Sequence, residues 1–346
     1  MPHTRVVEER SPAPYSAMTV RTVRSSTRNR AWLQQGIAVA VGVALLWWLG
    51  RNVVATLATN GVPLGFGFLR DPAGFAIGDA LLSYTPQDSI ARAILVGLAN
   101  TARVSVIGWV LAIALGFMLG LMRLSDNPPL RAVARGCVEA LRNTPLLLLL
   151  LVIAAAIHTL PGPRAAFEPL PGFFLSDRGL VLPAPVFGWP PAWDIPRLTG
   201  FNFTGGITVS PELAALVAAL VLHHAAHISE VVRGAVRAVP RGQRDAAYAL
   251  GLSRAQTTRH VVMPQALRAM VPLLASNCVS LTKNSSLAVA IGFADVVSIL
   301  NTTANQTGHA VETMLLMIVI YLALSLTVAS AMNGYNARLL RAGGRR

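Results

Sequence analysis

The stretch Pro240-Arg-Gly-Gln-Arg-Asp-Ala-Ala-Tyr-Ala-Leu-Gly-Leu-Ser-Arg-Ala-Gln-Thr-Thr-Arg-His-Val-Val-Met-Pro264 is a polar, strongly patterned insert between two segments greasy enough to cross a membrane. Pro240 and Gly242 break the preceding helix, and residues 243–250 have the composition of a short new one. Gly251 stands at the position just past its end, where a positive φ is needed and only glycine avoids the Cβ penalty. Ser253 and Gln256 have the spacing of a capping box, which predicts a second helix running until Pro264. Ala246 and Ala247 leave one face of the first helix nearly bare, so that another protein can approach closely, while Arg241, Arg244 and Asp245 place charge at the rim. A solvated loop has no need of such structure, and the insert reads as a docking element.

The sequence around it is that of a membrane protein. Of the 346 residues 53% are hydrophobic and 13% charged, against a charged share of about 25% in ordinary soluble chains. A hydrocarbon core of about 30 Å takes about 20 apolar residues of helix. Six segments fit, 31–49, 94–122, 145–160, 211–232, 265–286 and 313–332, and helical periodicity over 130–143 extends the third. The expected fold is all-α, with six transmembrane helices. The net charge of +14 does not indicate nucleic acid, because no clustered basic patch with stacking aromatics or binding motif accompanies it.

The positive charge follows the membrane instead. Arginines crowd the first 30 residues, the connection between the second and third spans, the 240–264 insert and the last residues, and are sparse in the alternate loops. Because positive charge stays on the cytoplasmic side, both termini and the insert are expected there. Arg103 lies near the outer end of the long second span, where it can snorkel. The basic leader is too long for a signal peptide, and Trp32, Trp47 and Trp48 fit an interfacial belt. Residues 161–210, rich in proline and including Trp189 and Trp193, hold no run long enough to span and are expected as an extracytoplasmic loop. The organisation is thus a cytoplasmic tail over 1–30, a first span with an outer loop over 31–92, a principal membrane domain over 93–335 and a second cytoplasmic tail over 336–346.

Several polar residues fall inside apolar segments. Lys283-Asn284-Ser285-Ser286 lies in the outer half of the fifth span, where intramembrane charge faces a cavity, a partner or a pathway. There it either bends the span beside a solute path, with Lys283 as a partner for a carboxylate, or forms a kink whose lysine pairs within the protein; a short returning helix follows. His223, His227 and Glu230 form one stripe of the fourth span at potential metal-ligand spacing. Polar helix contacts or pathway lining are the simpler reading, since no glutamate stands between the histidines to act as general base. Gly116 and Gly120 permit close helix approach, within one subunit or between two. Cys137 and Cys278 read as small hydrophobes. The phosphate-cradling Gly-x-x-x-x-Gly-Lys-Ser/Thr pattern is missing, Lys283 being the sole lysine. No cofactor is indicated, and any nucleotide energy must come from a separate subunit.

The insert also resembles a known element, the coupling loop of ABC-transporter membrane subunits: Glu-Ala-Ala, three residues, Gly, nine residues, Ile, any residue, Leu-Pro. The matching positions are Asp245, Ala246, Ala247, Gly251, Val261, Met263 and Pro264. Asp245 for Glu shortens the acid by one methylene, so a contact with a basic ATPase residue must be re-spaced. Glu230-Val-Val-Arg-Gly, Pro264-Gln-Ala-Leu-Arg and Leu281-Thr-Lys-Asn-Ser-Ser-Leu resemble permeases for polar amino acids. Glu139-Ala-Leu-Arg-Asn-Thr-Pro145 and Phe201-Asn-Phe-Thr-Gly-Gly resemble their general L-amino-acid branch, and the similarity covers residues 66–340.

That resemblance implies a type I ABC importer transmembrane domain with cytoplasmic coupling helices in the bacterial inner membrane, a multi-pass subunit that performs no chemistry. It implies cytoplasmic ABC ATPase subunits, a second permease subunit that is a different chain, and a periplasmic amino-acid-binding protein as partners, besides the lipid bilayer. The implied coupling residues are Arg241, Gly242, Asp245, Ala246, Ala247, Gly251 and Pro264; the path candidates are Glu230, Lys283, Asn284, Ser285 and Ser286. An ion-gradient-driven carrier and a membrane-embedded metalloenzyme are the alternatives. The first has no use for an ATPase-docking loop, and the second rests on the histidines alone.

Overall fold

The computed structural model describes residues 24–59, 65–186 and 192–343. Most of the basic leader, Trp189 and the last arginines lie outside them. The chain divides into two compact units, 1–64 and 65–346. In the first, α1 (Arg24–Thr59) carries an apolar stretch of 25 residues, Trp32–Thr56, long enough to cross a membrane. It runs well past the expected 31–49.

The second unit holds α2 (Ile90–Met122), α3 (Pro128–Asn143), α4 (Leu146–His158), α5 (Pro211–Ala238), α6 (Arg241–Ala249), α7 (Arg254–Thr257), α8 (Met263–Asn284), α9 (Val296–Thr307) and α10 (Ala310–Gly343). Among the described residues four helices are long and apolar enough to cross a membrane, or up to six if two bent pairs each count as one span.

One of those pairs corrects the sequence reading. The periodicity of 130–143 does not run straight into the third span, because α3 and α4 meet at 104° and make at most one broken span. Pro145 disfavours helical backbone at Thr144 before it, and both residues are extended, with ψ of 125° and 134°. Ala134 and Val138 are the buried face of α3, which packs on α2 and α5.

The second correction concerns residues 161–210, which are not a plain loop in an all-α fold. Among the described residues they form eight short strands. β1 (Phe167–Leu170), β2 (Phe173–Ser176), β3 (Gly179–Leu182) and β8 (Ile207–Val209) make an antiparallel sheet in the order β1-β2-β3-β8. β4 (Ala184–Val186) pairs with β5 (Ala192–Asp194), and β6 (Arg197–Thr199) with β7 (Asn202–Thr204). Gly179 has φ +99°, and a Cβ there would strike the backbone of Val209 and Ser210. Glycine is therefore what lets β3 pass into its neighbour.

The core is built on α2 against α5, with α4 and α8 alongside. Val104, Ala112, Leu216, Leu220, Met270 and Phe293 are buried there. Cβ atoms built at Gly116 and Gly120 would lie 2.6 Å from Ile228 Cβ and 2.7 Å from Val232 Cβ. The Gly-x-x-x-Gly pair thus serves close packing of α2 on α5 within this chain.

The broken fifth span is present, but its turn falls later than expected. α8 tightens into a 3-10 turn over Ser285–Ile291, Gly292 takes φ 78°, and Asp295 caps α9 by accepting from Ser298 N at 2.8 Å, with a 50° bend overall. At the opposite end of α2 from the 240–264 insert, Arg103 pairs with Asp79 at 2.7 Å instead of snorkelling, and Asp79 also accepts from Ser210 Oγ at 2.7 Å. Asn100, fully buried, donates to the carbonyls of Asp79 and Ala294. One polar cluster thereby anchors the 65–89 segment, α2, α5 and the approach to α9.

Candidate functional site

The 240–264 insert folds into a compact elbow. α6 ends in a complete glycine cap: Gly251 has φ +80°, its N–H donates to Tyr248 O at 2.9 Å, and Leu252 N–H reaches back to Ala247 O at 3.1 Å. This two-bond pattern satisfies carbonyls that a helix end otherwise leaves unpaired. The capping box at the start of α7 is present in both directions, Gln256 N donating to Ser253 Oγ at 3.3 Å and Ser253 N to Gln256 Oε1 at 2.9 Å.

Pro264 does not end the second helix. α7 passes through a π-turn, Thr258–Val262, directly into α8. The N–H of Met263 bonds Thr258 O across the π-turn, and Pro264, which has no N–H to donate, follows directly after it in the first turn of α8. The elbow is therefore welded to the bundle through a continuous helix, a stiffer connection than a proline break would give.

The expected contact face holds only in part. Arg241, Gly242, Asp245 and Ala246 are exposed, whereas Ala247 is 3% exposed and turns into the chain. Ala247 serves the packing of α6 on its own bundle. Sequence reasoning missed Tyr248 and Leu250, the latter 83% exposed, which put apolar surface on the elbow. Their signal was an apolar residue at the end of a helix whose opposite face is already buried. Arg244 turns inward and donates to Val236 O. The Arg254–Asp126 pair at 2.8 Å is almost fully exposed and contributes little stability.

At the same end of the bundle, Glu230 accepts from three arginines. Arg123 on the end of α2 donates at 2.7 Å, Arg142 in the last turn of α3 at 3.1 Å, and Arg233 on α5 through two N–H groups at 2.9 and 2.7 Å. The other path candidates do not converge with it. Lys283 is exposed, has no ion pair among the described residues, and borders a largely apolar groove of about 740 Å³ with Ser286 and Tyr321. Asn284 points the other way, its Nδ2 lying 3.2 Å from Nε2 of the buried His224. Ser285 is buried and bonds Thr282 O.

A membrane bundle with a rigid polar elbow matches the family model described as "Binding-protein-dependent transport system inner membrane component" over residues 112–342. The chain belongs to this family. Among relatives of this inner membrane component, the chain is 39% identical over 369 aligned positions to YhdX of Escherichia coli (strain K12), provisionally an amino-acid ABC transporter permease, covering 90% of this chain and 94% of YhdX. It is 34% identical to the general L-amino acid transport system permease protein AapQ of Rhizobium johnstonii, covering 97% and 98% respectively. A crystal structure of an amino acid ABC transporter with histidines shares the fold, with a TM-score of 0.55 at 24% identity over 72% of this chain and 94% of that one.

The polar stripe of this inner membrane component is organised around packing. The rings of His223 and His227 are 4.8 Å apart, and His224 is 3% exposed beside Asn284. Glu230, the stripe's carboxylate, is committed to arginines, and among the described residues no three His, Cys, Asp or Glu side chains converge to hold a metal.

Proposed function

We propose that this chain is a permease subunit of an ATP-driven importer that carries L-amino acids across the bacterial inner membrane, of the general L-amino-acid kind. The single observation that carries the reading is the elbow: a doubly capped, helix-welded projection on a membrane bundle whose family works with a binding protein. The relatives' names supply the substrate class. On this reading α1, α2, the α3–α4 pair, α5, the α8–α9 pair and α10 are six spans. Both termini and the elbow lie in the cytoplasm, and the strands of 167–209 lie outside, on the side of a periplasmic amino-acid-binding protein.

A cytoplasmic ATPase docks on Arg241, Gly242, Asp245, Ala246 and Leu250, with Gly251 and Pro264 fixing the angle of the elbow. Closure of the ATPase pair moves the elbow as a rigid body and biases the bundle between outward and inward openings. The path runs between this chain and a second, different permease subunit, with Glu230, Lys283, Asn284, Ser285 and Ser286 as candidates along it.

The test uses the chain co-expressed with its ATPase. A Cβ at Gly251 meets nothing within 4 Å, so the main cost of Gly251→Val is the left-handed backbone, at least about 1–2 kcal/mol for a β-branched residue. Membrane insertion should be unchanged, while ATPase co-purification weakens by about tenfold and uptake falls with it. Wild-type uptake by this variant, or labelling of a cysteine placed at 245 by an impermeant reagent from outside the cell, would sink the proposal.

A further inference from the structure

Where α4 hands the chain over to the strands, three turns distant in sequence enclose an open pocket of about 220 Å³. Arg164 comes from the 3-10 turn Pro163–Ala165 just past α4, Arg178 from the turn between β2 and β3, and Phe201 from the turn between β6 and β7. No acidic side chain lines it.

Neither arginine is committed elsewhere. Arg164 lays its guanidinium over the Phe201 ring, 3.8 Å from the centroid, and its Nε–H donates to Gly200 O at 3.4 Å. These contacts fix the plane of the guanidinium and leave its terminal N–H groups without an acceptor among the described residues. The Arg178 guanidinium has no hydrogen bond or ion pair among them either, its backbone N–H alone reaching Ser176 Oγ. Arg103 at the same end of the bundle behaves differently, being paired with Asp79. Two like charges facing one recess with no counter-charge suit an anion.

The depth of the pocket says which anion meets it. α4 has 13 residues, about 20 Å of rise, against a hydrocarbon core of about 30 Å. Residues 159–163 can add up to about 3.3 Å each, so Arg164 reaches the headgroup layer, where phosphate oxygens accept from guanidinium forks. Phe201, 70% exposed, offers apolar surface to the glycerol ester and the first methylenes. We propose that this pocket binds the phosphate of an anionic phospholipid headgroup, held by the terminal N–H groups of Arg164 and Arg178, and so ties the strand segment to the bilayer surface. The site rests on the α3–α4 pair being a span and is independent of ATP coupling, so its failure and that of the elbow are separable.

The probe is dioctanoylphosphatidylglycerol, titrated into the full-length chain after purification in detergent and removal of lipid, with bound lipid counted by native mass spectrometry. Arg178→Gln, which breaks no side-chain bond within the chain, should weaken binding about tenfold, and Arg164→Gln at least as much. Arg197→Gln, outside the pocket, should leave binding unchanged. Dioctanoylglycerol, with the same tails and no phosphate, should bind no better than the phospholipid does to the double arginine variant. Equal binding of the phospholipid by the wild type and that double variant would overturn the site. Displacement of the lipid by an equal concentration of inorganic phosphate would overturn the headgroup assignment in favour of free phosphate. No lipid binding, with a purified periplasmic binding protein retained by the wild type and lost in Arg178→Gln, would overturn it in favour of an acidic protein surface.

Discussion

Gly116→Val is expected to force α2 away from α5 and to cost most of the folded protein. A Cβ at Gly116 would sit 2.6 Å from Ile228 Cβ, 2.7 Å from Ile228 Cγ2 and 2.8 Å from Ala225 O. Rotation about χ1 can move Ile228 Cγ2 away but neither its Cβ nor the Ala225 carbonyl, so relief requires moving one helix against the other. Overpacking of a tight core costs about 1–3 kcal/mol, and valine adds three carbons to a site that cannot take one. The strain falls on the largest interhelical surface of the bundle.

Gly136→Val provides the comparison, since nothing lies within 4 Å of a Cβ on that face of α3. Thermal melting of the purified protein should show a large loss for the first variant and a small one for the second. Ile228→Ala should recover little of the loss of Gly116→Ala, because it removes Cγ2 but keeps the Cβ at 2.6 Å and the Ala225 carbonyl at 2.8 Å. Wild-type melting of Gly116→Val would mean that the helices are not so closely packed.

The elbow was the most legible part of the molecule, because its devices are local. A capping box needs residues three apart, and a glycine cap needs one residue past a helix end, so Ser253, Gln256 and Gly251 could be read from the chain alone. Which face of α6 the bundle covers depends on residues far away in sequence, so Ala247 was assigned outward and Leu250 was passed over. The length of α3 with α4 suggested one span because periodicity has no term for direction, and the 104° turn needs only Thr144 and Pro145 to go extended. Strands of three or four residues are too short for alternation to declare itself, which hid the sheets of 167–209. Glu230 was singled out, but its partner Arg123 is 107 residues away, and such pairings are set by tertiary packing.

That pairing gives the second large effect. Glu230→Gln should destabilise the protein far more than the loss of any exposed pair. Arg123 is 8% exposed and Glu230 22%, so both charges are largely removed from water, and the remaining neighbours, Arg142 and Arg233, are positive. Neutralising Glu230 leaves Arg123 without a counter-charge, facing only neutral side-chain acceptors, the glutamine Oε1 and Ser229 Oγ at 3.4 Å. Breaking a buried pair from one side costs about 3–5 kcal/mol. Arg142→Gln should cost less than about 1 kcal/mol, because Arg142 is 40% exposed and gives a single bond at 3.1 Å.

The double variant Glu230→Gln with Arg123→Met separates charge from packing, since it removes the stranded guanidinium while keeping an unbranched apolar stem in its place. Most of the loss should return, as it does when a buried ion pair is replaced on both sides. If the stability of Glu230→Gln equals that of the wild type, the carboxylate does not hold the three elements together. If the double variant is as unstable as the single one, the cost lies in lost packing between α2, α3 and α5 and not in an unpaired charge. The outcome also bears on the bend between α3 and α4, because Arg142 stands in the last turn of α3, two residues before the extended Thr144. A clasp there holds the corner at which α3 turns into α4, so loosening it should raise hydrogen exchange over 139–146 before the core of α5 responds.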